Sequence, residues 1–239
     1  MMAVVNTEPK KSVAILQSNY IPWKGYFGII DKADVFVIYD EVQYTKNDWR
    51  NRNKIKGKSG AFWLTVPVSV KSSNQLIEDT YVSDKRWFTK HWKSIKSTYG
   101  RAAYFKDYEK QFEELYTRME SERLSDINLQ LIKEVCGILN IDTEIVNSRG
   151  LNLSGDKNER LIDACVKLEA NHYISGPAAK DYLQEDMFAQ ESIEVEWMDY
   201  SQFEAYDQLS TPFEHGVSVL DVIFNMGPRA QELVKANSL

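Results

Sequence analysis

Two short apolar runs close to the start of the chain constrain the fold more than any other feature. The runs SVAIL (12–16) and DVFVIY (34–39) have the composition of strands that are buried on both faces. Between them, Pro22 can open a helix whose apolar side includes Phe27 and Ile30. A strand–helix–strand unit of this length is typical of one right-handed βαβ crossover, so the sequence predicts a parallel sheet.

Periodic patterns further along the chain extend this prediction to a complete α/β domain. Apolar residues recur at three- and four-residue steps in 104–119 and 124–138, which indicates helices in a block at about 85–140. The sequence therefore predicts a Rossmann-like, mostly parallel sheet with flanking helices and a helical insertion, in one domain at 12–239 after a flexible N-terminus at 1–11. The other expected elements are a hairpin at 53–70 with its turn at 57–60, strands in TEIVNS, HYISG and SIEVEWM, a helix at 157–169, and a C-terminal helix interrupted near Gly227-Pro228.

Composition and charge exclude several classes of protein. Of the 239 residues, 43% are hydrophobic, which is enough for a core, and the net charge of −6 argues against general nucleic-acid binding. The chain has no signal-peptide pattern and no apolar run of the roughly 18 residues that indicate a membrane span. Cys165 lies in a predicted helix among apolar residues, which favours a small buried side chain over a nucleophile. We expect a cytoplasmic protein with no membrane or nucleic-acid partner.

The turn after the first predicted strand is the first candidate site. Ligands of open parallel sheets bind beyond the carboxyl ends of the strands, and backbone N–H groups at a helix start can hold an anion. Gln17 and Asn19 could orient a polar ligand there, and Trp23 could stack on a base or sugar with Tyr26 nearby. The alternative is that the two aromatic residues only pack in the core.

A basic segment follows the second predicted strand. Residues 46–58 contain six Lys or Arg residues and one Asp in an otherwise acidic chain. Arg50 and Arg52, with Asn53 beside them, suit bidentate binding of phosphate or carboxylate. Asp40, at the end of the strand, is placed to accept a ribose hydroxyl or to act as a base. The alternative is a solvated hairpin face.

Histidines are the third group of candidates, because only histidine has an unperturbed pKa near neutrality. His91 lies in a predicted helix and His215 in the loop TPFEHGVS, and each is a candidate proton carrier. His172 begins a predicted strand and is a weaker candidate. No pair has a metal-ligand spacing such as HExxH, so no metal site is predicted. A structural role is the alternative for each.

The segment HYISGPAAKDYL is the fourth candidate site. A strand ending in Ser175 and Gly176, followed by Pro177, is a second place where backbone N–H groups could hold an anion. Asp181 could contact a ligand hydroxyl there or simply cap a helix. These residues are predicted to bind substrate.

Several blocks, in order along the chain, resemble the WbqC-like family. They are LQSNYIPWKGYFGIIDKADVFVIYDEVQYTKNDWRNRNKIK, FWLTVPV, HWKSIKSTYGRAAYFKDY, YISGPAAKDYL and VSVLDVIFNMGP, and together they span about residues 12–234. Compared with the family's usual HQPNYLPW, this chain has Ser18 in place of proline and Leu16 in place of His or Met, and Ala179 occupies a glycine position. Members are typically encoded with enzymes that build bacterial surface polysaccharides, often O-antigen, so the resemblance implies a role in that pathway.

Within that pathway we expect an acyl or aminoacyl transferase that forms an amide on the amino sugar of a nucleotide sugar. Asp40, His91 or His215 would act as the base, and no cofactor is expected. The partners would be the nucleotide sugar and an acyl or aminoacyl donor, and a homodimer stays open. One alternative is an ATP- or CTP-using nucleotidylyltransferase-like enzyme, although Trp23 and Tyr26 occupy the positions of the histidines in the H-x-G-H loop of such enzymes. The other alternative is a non-catalytic scaffold that binds sugar nucleotides.

Overall fold

The computed structural model describes residues 10–235 and contains a five-stranded parallel sheet with helices on both faces. Short 3₁₀ turns connect several of the elements. In chain order, the strands and helices are β1 (Ser12–Leu16), α1 (Lys24–Lys32), β2 (Val35–Ile38), β3 (Arg52–Gly57), β4 (Gly60–Thr65), β5 (Val68–Ser69), β6 (Tyr81–Val82), α2 (Trp87–Tyr99), α3 (Phe105–Thr117), α4 (Leu124–Ile138), β7 (Glu144–Asn147), α5 (Lys157–Lys167), β8 (His172–Ser175), α6 (Glu185–Gln190), β9 (Glu194–Trp197), α7 (Val219–Met226) and α8 (Ala230–Lys235).

The order of strands in the sheet is β7-β2-β1-β8-β9, and all neighbouring pairs are parallel. Val13 of β1 is level with Val35 of β2 on one side and with Tyr173 of β8 on the other. This topology confirms the predicted Rossmann-like α/β fold. Because β2 and β8 flank β1, the direction of strand addition reverses there, and such a reversal point is where open parallel sheets bind ligands at their carboxyl ends.

The sheet separates two hydrophobic cores of unequal size. The larger one includes Phe27 of α1, Phe112 of α3 and Phe224 of α7, all fully buried. The smaller one lies under α5 and α6 and includes Phe188 and Cys165. Burial raises the pKa of the Cys165 thiol to about 12, so this side chain packs as a small apolar group and forms little thiolate near neutral pH.

The chain between β2 and β7 forms an insertion that carries the hairpin β3–β4 and helices α2 to α4. In the hairpin, Lys54 is paired with Trp63, so their side chains lie on the same face. The short strands β5 and β6 pair with each other, an arrangement that periodicity did not predict. The backbone N–H of Tyr20, in the turn after β1, donates to the carbonyl oxygen of Trp49, just before the hairpin, at 3.0 Å. The hairpin therefore lies next to this turn, at the carboxyl end of β2.

The C-terminal helical segment is interrupted near Gly227-Pro228, as the sequence predicts. Helix α7 ends where Gly227 adopts a φ of +56°, and α8 begins at Ala230. Within residues 10–235, no helix combines the length and the apolar character that crossing a bilayer requires. The predicted flexible N-terminus falls almost entirely outside the described residues, and the assignment of one domain stays a prediction.

Candidate functional site

A cleft of about 320 Å³ opens beside the turn that follows β1. Its walls come from three segments that are distant in sequence: this turn, the chain that leads into β3, and the irregular loop before α7. Aromatic rings and amide groups dominate its surface, and it contains a single ionisable side chain among the described lining residues. The lining residues are Asn19, Pro22, Trp23, Trp49, Asn53, His215 and Gly216.

The turn is held in an unusual backbone conformation by the hairpin. Ile21 is fully buried and has a φ of +35°, a region that β-branched residues rarely occupy. The side-chain Nδ2 of Asn53 donates to the carbonyl oxygens of Tyr20 at 3.2 Å and of Ile21 at 2.8 Å. The carbonyl oxygen of Pro22 accepts from the backbone N–H of Val219 at 2.8 Å. Asn53, predicted to bind substrate, thus lines the cleft and also fixes its first wall.

Trp23 presents an immobilised ring to the cleft. A Cβ added at Gly25 would overlap this ring, so the position requires glycine for steric reasons. Tyr200 and Phe203 meet the ring edge-to-face, with centroid distances of 5.0 Å and 5.9 Å. Its predicted stacking on a ligand stays a prediction, but the ring is held in place from three sides.

The loop 203–218, which carries His215, is anchored by one lysine from the start of α1 and two from the hairpin. Lys24 and Lys56 are almost fully buried, and burial lowers the pKa of Lys24 to about 8. Because its ammonium group is used inside the protein, Lys24 is not placed to neutralise the phosphates of a ligand. The contacts are Lys24 Nζ to the carbonyl oxygen of Glu204 (2.6 Å), Lys54 Nζ to Glu214 Oε1 (3.1 Å), and Lys56 Nζ to Gln208 Oε1 (2.7 Å) and to the carbonyl oxygen of Pro212.

A buried carboxylate in α7 anchors the same loop through hydrogen bonds. Asp221, in the first turn of α7, is fully buried and accepts hydrogen bonds from the hydroxyls of Tyr99 at 3.0 Å and Tyr206 at 2.8 Å. It also accepts one from Nε2 of Gln208 at 3.0 Å. Burial raises the pKa of Asp221. The loop is therefore irregular in backbone but held by satisfied buried polar groups, which positions His215.

His215 is the ionisable side chain in the cleft. Its ring lies edge-on to Phe213 with centroids 4.5 Å apart, and the residue is exposed. Partial burial, and secondly the positive charge of Lys24, lower the pKa of His215 from its ordinary value. The imidazole is therefore neutral near pH 7 and able to accept a proton from a ligand in the cleft.

Asp40, the first predicted base, lies beneath the turn and outside the cleft lining. It is 1% exposed, and its carboxylate accepts hydrogen bonds from the backbone N–H of Ser18 at 2.8 Å, the hydroxyl of Ser18 at 2.7 Å and the hydroxyl of Ser125. Asn128 of α4 donates to the Ser18 hydroxyl at 3.0 Å and to the carbonyl oxygen of Arg50 at 2.9 Å. These contacts favour a structural role for Asp40 over the predicted role as a base.

His91, the second predicted base, also lies beneath the turn. It is 7% exposed, and its Nε2 lies 3.1 Å from the carbonyl oxygen of Thr65, to which only a protonated nitrogen can donate. Its Nδ1 then accepts from the hydroxyl of Tyr20 at 2.7 Å, which lies 2.8 Å from the hydroxyl of Tyr116. Burial lowers the pKa of His91 to about 4. Both nitrogens are engaged, which favours a structural role here as well.

The two predicted arginines occupy different places. Arg50 donates from Nη1 to the side-chain oxygen of Asn19, and its Nη2 lies 3.6 Å from Asp48. This hydrogen bond fixes the Asn19 amide so that its NH₂ group remains for a ligand. Arg52 lies on the outer face of the hairpin, where its guanidinium carbon is 4.1 Å from the centroid of Trp63.

Gln17 and Tyr26, both predicted to contact a ligand, contact each other instead. Tyr26 is buried in the larger core, and its hydroxyl donates to the carbonyl oxygen of Gln17 at 3.0 Å. Neither residue lines the cleft. The contact ties α1 to the end of β1 and favours the core-packing alternative for Tyr26.

The turn after β8 is separated from the cleft. Ser175 is buried and Asp181 is exposed at the end of a 3₁₀ turn, Pro177–Asp181. A Cβ added at Gly176 would lie 3.6 Å from the hydroxyl of Tyr200, whose ring also contacts Trp23. Tyr200 thus lies between the two strand ends. Ser175, Gly176 and Asp181 are therefore not brought together with the residues of the first turn.

Pro22, Trp49 and Gly216 complete the lining and were not predicted as site residues. Trp49 precedes Arg50 in the basic segment, and a tryptophan next to arginines was the sequence signal that could have identified it. Gly216 follows His215 and lines the cleft only because of the path of the loop 203–218. That loop has no periodic sequence pattern, so its path could not be predicted.

Comparison with known proteins relates most of the described fold to one family. The model of the WbqC-like protein family matches residues 17–233. The chain is 42% identical over 226 residues to the uncharacterized protein Rv1507c of Mycobacterium tuberculosis (strain ATCC 25618 / H37Rv), and the match covers 94% of this chain and 98% of that protein. No solved structure matches the chain.

Proposed function

The chain belongs to the WbqC-like protein family, and from that premise we propose that it is an enzyme of bacterial surface-polysaccharide (O-antigen) biosynthesis. It transfers an acyl or aminoacyl group to the amino group of a nucleotide-linked amino sugar. The family resemblance supplies the pathway. The cleft supplies the chemistry, and the observation that carries the proposal is that His215 is the ionisable side chain among two tryptophans and two asparagines.

In this reaction the amino sugar lies in the cleft with its amine directed at His215. The amine nitrogen forms a bond to the carbonyl carbon of the acyl donor, and the bond from that carbon to its sulfur or oxygen leaving group breaks. His215 accepts the proton of the amine and delivers it to the leaving group. The free NH₂ group of Asn19, oriented by Arg50, donates to the oxygen of the tetrahedral intermediate. Trp23 packs against the sugar ring.

The test is an assay for amide formation by mass spectrometry. Purified protein is incubated with UDP- and dTDP-linked amino sugars and a panel of acyl-CoA and aminoacyl donors, and the mass gained by the sugar is measured. Replacement of the base, His215→Ala, is expected to lower kcat by about 10²- to 10⁴-fold. Asp181→Ala, an exposed residue outside the cleft, is the matched control and is expected to keep the wild-type rate.

The pH dependence of kcat provides a second readout. A base must be neutral to accept a proton, so activity falls as pH drops through the pKa of His215, which lies below the ordinary histidine value of 6.5.

Turnover by His215→Ala at the wild-type rate contradicts the assignment. Binding of nucleotide sugars without conversion by any donor supports a non-catalytic scaffold, and release of pyrophosphate from ATP or CTP supports nucleotidyl transfer.

A further inference from the structure

The cleft is too small for the whole nucleotide sugar, the acceptor of the proposed reaction. Its volume of about 320 Å³ lies at the low end of the range for small-molecule sites, which suits one ring system. A nucleotide sugar consists of a base, a ribose, two phosphates and a sugar. If the sugar occupies the space next to His215, the nucleoside diphosphate must lie on the surface that continues from the cleft.

An exposed aromatic and basic surface continues from the cleft along the hairpin. Trp49, one wall of the cleft, is 41% exposed, and its ring centroid lies 5.2 Å from that of Trp63, which is 40% exposed. The β3–β4 register places Arg52 and Lys54 on the same face as Trp63. Their charged groups lie 4.1 Å and 5.5 Å from the Trp63 centroid. We refer to Trp49, Arg52, Lys54 and Trp63 as the hairpin platform.

We propose that the hairpin platform binds the nucleoside diphosphate part of the nucleotide-sugar acceptor, an inference that rests on the proposed function. The base stacks on the indole rings of Trp49 and Trp63, and the phosphates lie against Arg52 and Lys54. The sugar then extends into the cleft toward His215.

The chemistry of the platform favours this ligand over others. Every base presents a planar face to an indole ring, and arginine suits the oxygens of a phosphate. A neutral glycan would use the rings but would offer no negative charge to Arg52 and Lys54. A long nucleic acid is disfavoured by the net charge of −6 over the whole chain.

Two features preorganise the platform, and one opposes binding. Arg52 is held by Trp63 and by hydrogen bonds to Asn47, so little side-chain entropy is lost when it meets a phosphate. Lys54 is paired with Glu214 at 3.1 Å, and this carboxylate competes with the phosphates for the ammonium group. Removal of the Glu214 charge is therefore expected to strengthen binding.

The hairpin also offers a matched control. Phe62 is 42% exposed and adjacent to Trp63, but it is paired with Ile55 and lies on the opposite face of the hairpin. A change at Phe62 removes a similar exposed aromatic surface from the same strand without touching the platform.

The experiment measures the Kd of UDP, dTDP, GDP and ADP by calorimetry and by quenching of tryptophan fluorescence. Trp63→Ala and Arg52→Gln are each expected to weaken binding roughly tenfold, since one base–aromatic stack or one charged contact is lost. Phe62→Ala stays within about twofold, and Glu214→Gln strengthens binding by about twofold. Binding weakens between about 50 and 200 mM salt, because phosphate contacts are screened.

Equal Kd values for wild type and Trp63→Ala overturn the inference, as does the absence of binding by all four diphosphates. Binding of oligogalacturonate in their place, weakened by Trp63→Ala, identifies an anionic glycan site and also overturns it. The amide-formation assay separates the two proposals. If transfer depends on His215 while Kd is unaffected by Trp63→Ala, the platform is wrong and the proposed function stands. If the diphosphates bind to the platform but no sugar gains mass, the platform stands and the proposed function fails.

Discussion

The turn after β1 separates two regions that contain similar residue types in different roles: the cleft above it and the buried interior below it. Below the turn, Asp40 and His91 are buried, and their polar atoms are engaged by neighbours inside the protein. Above it, Asn19 and His215 face the cleft. Ser18 and Tyr20 on either side of Asn19 are fully buried, whereas Asn19 is not, so adjacent residues of the turn belong to different regions.

This contrast shows that residue type alone does not identify a proton carrier. A carboxylate or imidazole can carry protons only where a ligand reaches it, which depends on whether its side chain faces the cleft or the interior of the protein. Substitutions below the turn should change stability with little direct effect on ligands. Substitutions above it should change ligand binding or turnover with little effect on stability.

The largest expected effect is the loss of the buried carboxylate below the turn. Asp40→Ala leaves the Ser18 and Ser125 donors without their acceptor and is expected to lower the free energy of unfolding by about 3 kcal/mol. His215→Ala, above the turn, should change it by less than about 0.5 kcal/mol. Urea unfolding followed by circular dichroism measures both. A wild-type unfolding midpoint for Asp40→Ala would break the distinction between the two regions.

An effect of about the same size is expected on acidification, and it comes from His91. Its pKa is about 4 in the folded protein and near 6.5 in an unfolded chain, so between these values the unfolded state binds more protons. The free energy of unfolding should therefore be unaffected by His91 above pH 6.5 and decrease by about 3 kcal/mol as pH falls from 6.5 to 4.

The wild type and two variants isolate this contribution in urea titrations at several pH values. His91→Gln should have a shallower pH dependence of stability than wild type, since the titrating group is gone. His215→Ala should remove much less of the slope, because that side chain is exposed and its pKa is only partly affected by burial. Parallel profiles for wild type and His91→Gln would show that His91 is not the source.

The smallest effect concerns the aromatic wall above the turn. Gly25→Ala forces the Trp23 ring to move, so binding in the cleft should weaken by about tenfold with a change in Trp fluorescence. Gly176→Ala places a Cβ 3.6 Å from the Tyr200 hydroxyl, an ordinary contact, and should leave binding unchanged. Nucleotide-sugar Kd values compare the two. An equal loss in both variants would mean that the turn after β8 contributes to the site.

The sheet and the position of the cleft could be predicted from local patterns. The apolar runs 12–16 and 34–39 form adjacent parallel strands, and the turn between the first of them and α1 is part of the cleft. Asn19, Trp23 and His215 were all among the predicted residues and lie in one cleft.

The direction of each side chain could not be predicted. Asp40 is directed away from the cleft because Ser125 and Asn128, far along the chain in α4, surround the space beneath the turn. No local pattern in the strand that precedes Asp40 contains that information. The basic segment was likewise ambiguous: Lys54 and Lys56 anchor a distant loop, whereas Arg52 lies on an exposed indole ring.

The cleft is formed by three distant segments of the chain, and this determines when it can form during protein synthesis. Its walls come from residues near 20, near 50 and near 215, whereas the last strand of the sheet ends at Trp197. Synthesis proceeds from the N-terminus, so the ribosome releases every strand of the sheet before the loop that carries His215. A chain that stops early would contain the whole sheet and lack the third wall of the cleft. Ligand binding in the cleft therefore requires that synthesis has passed Gly216.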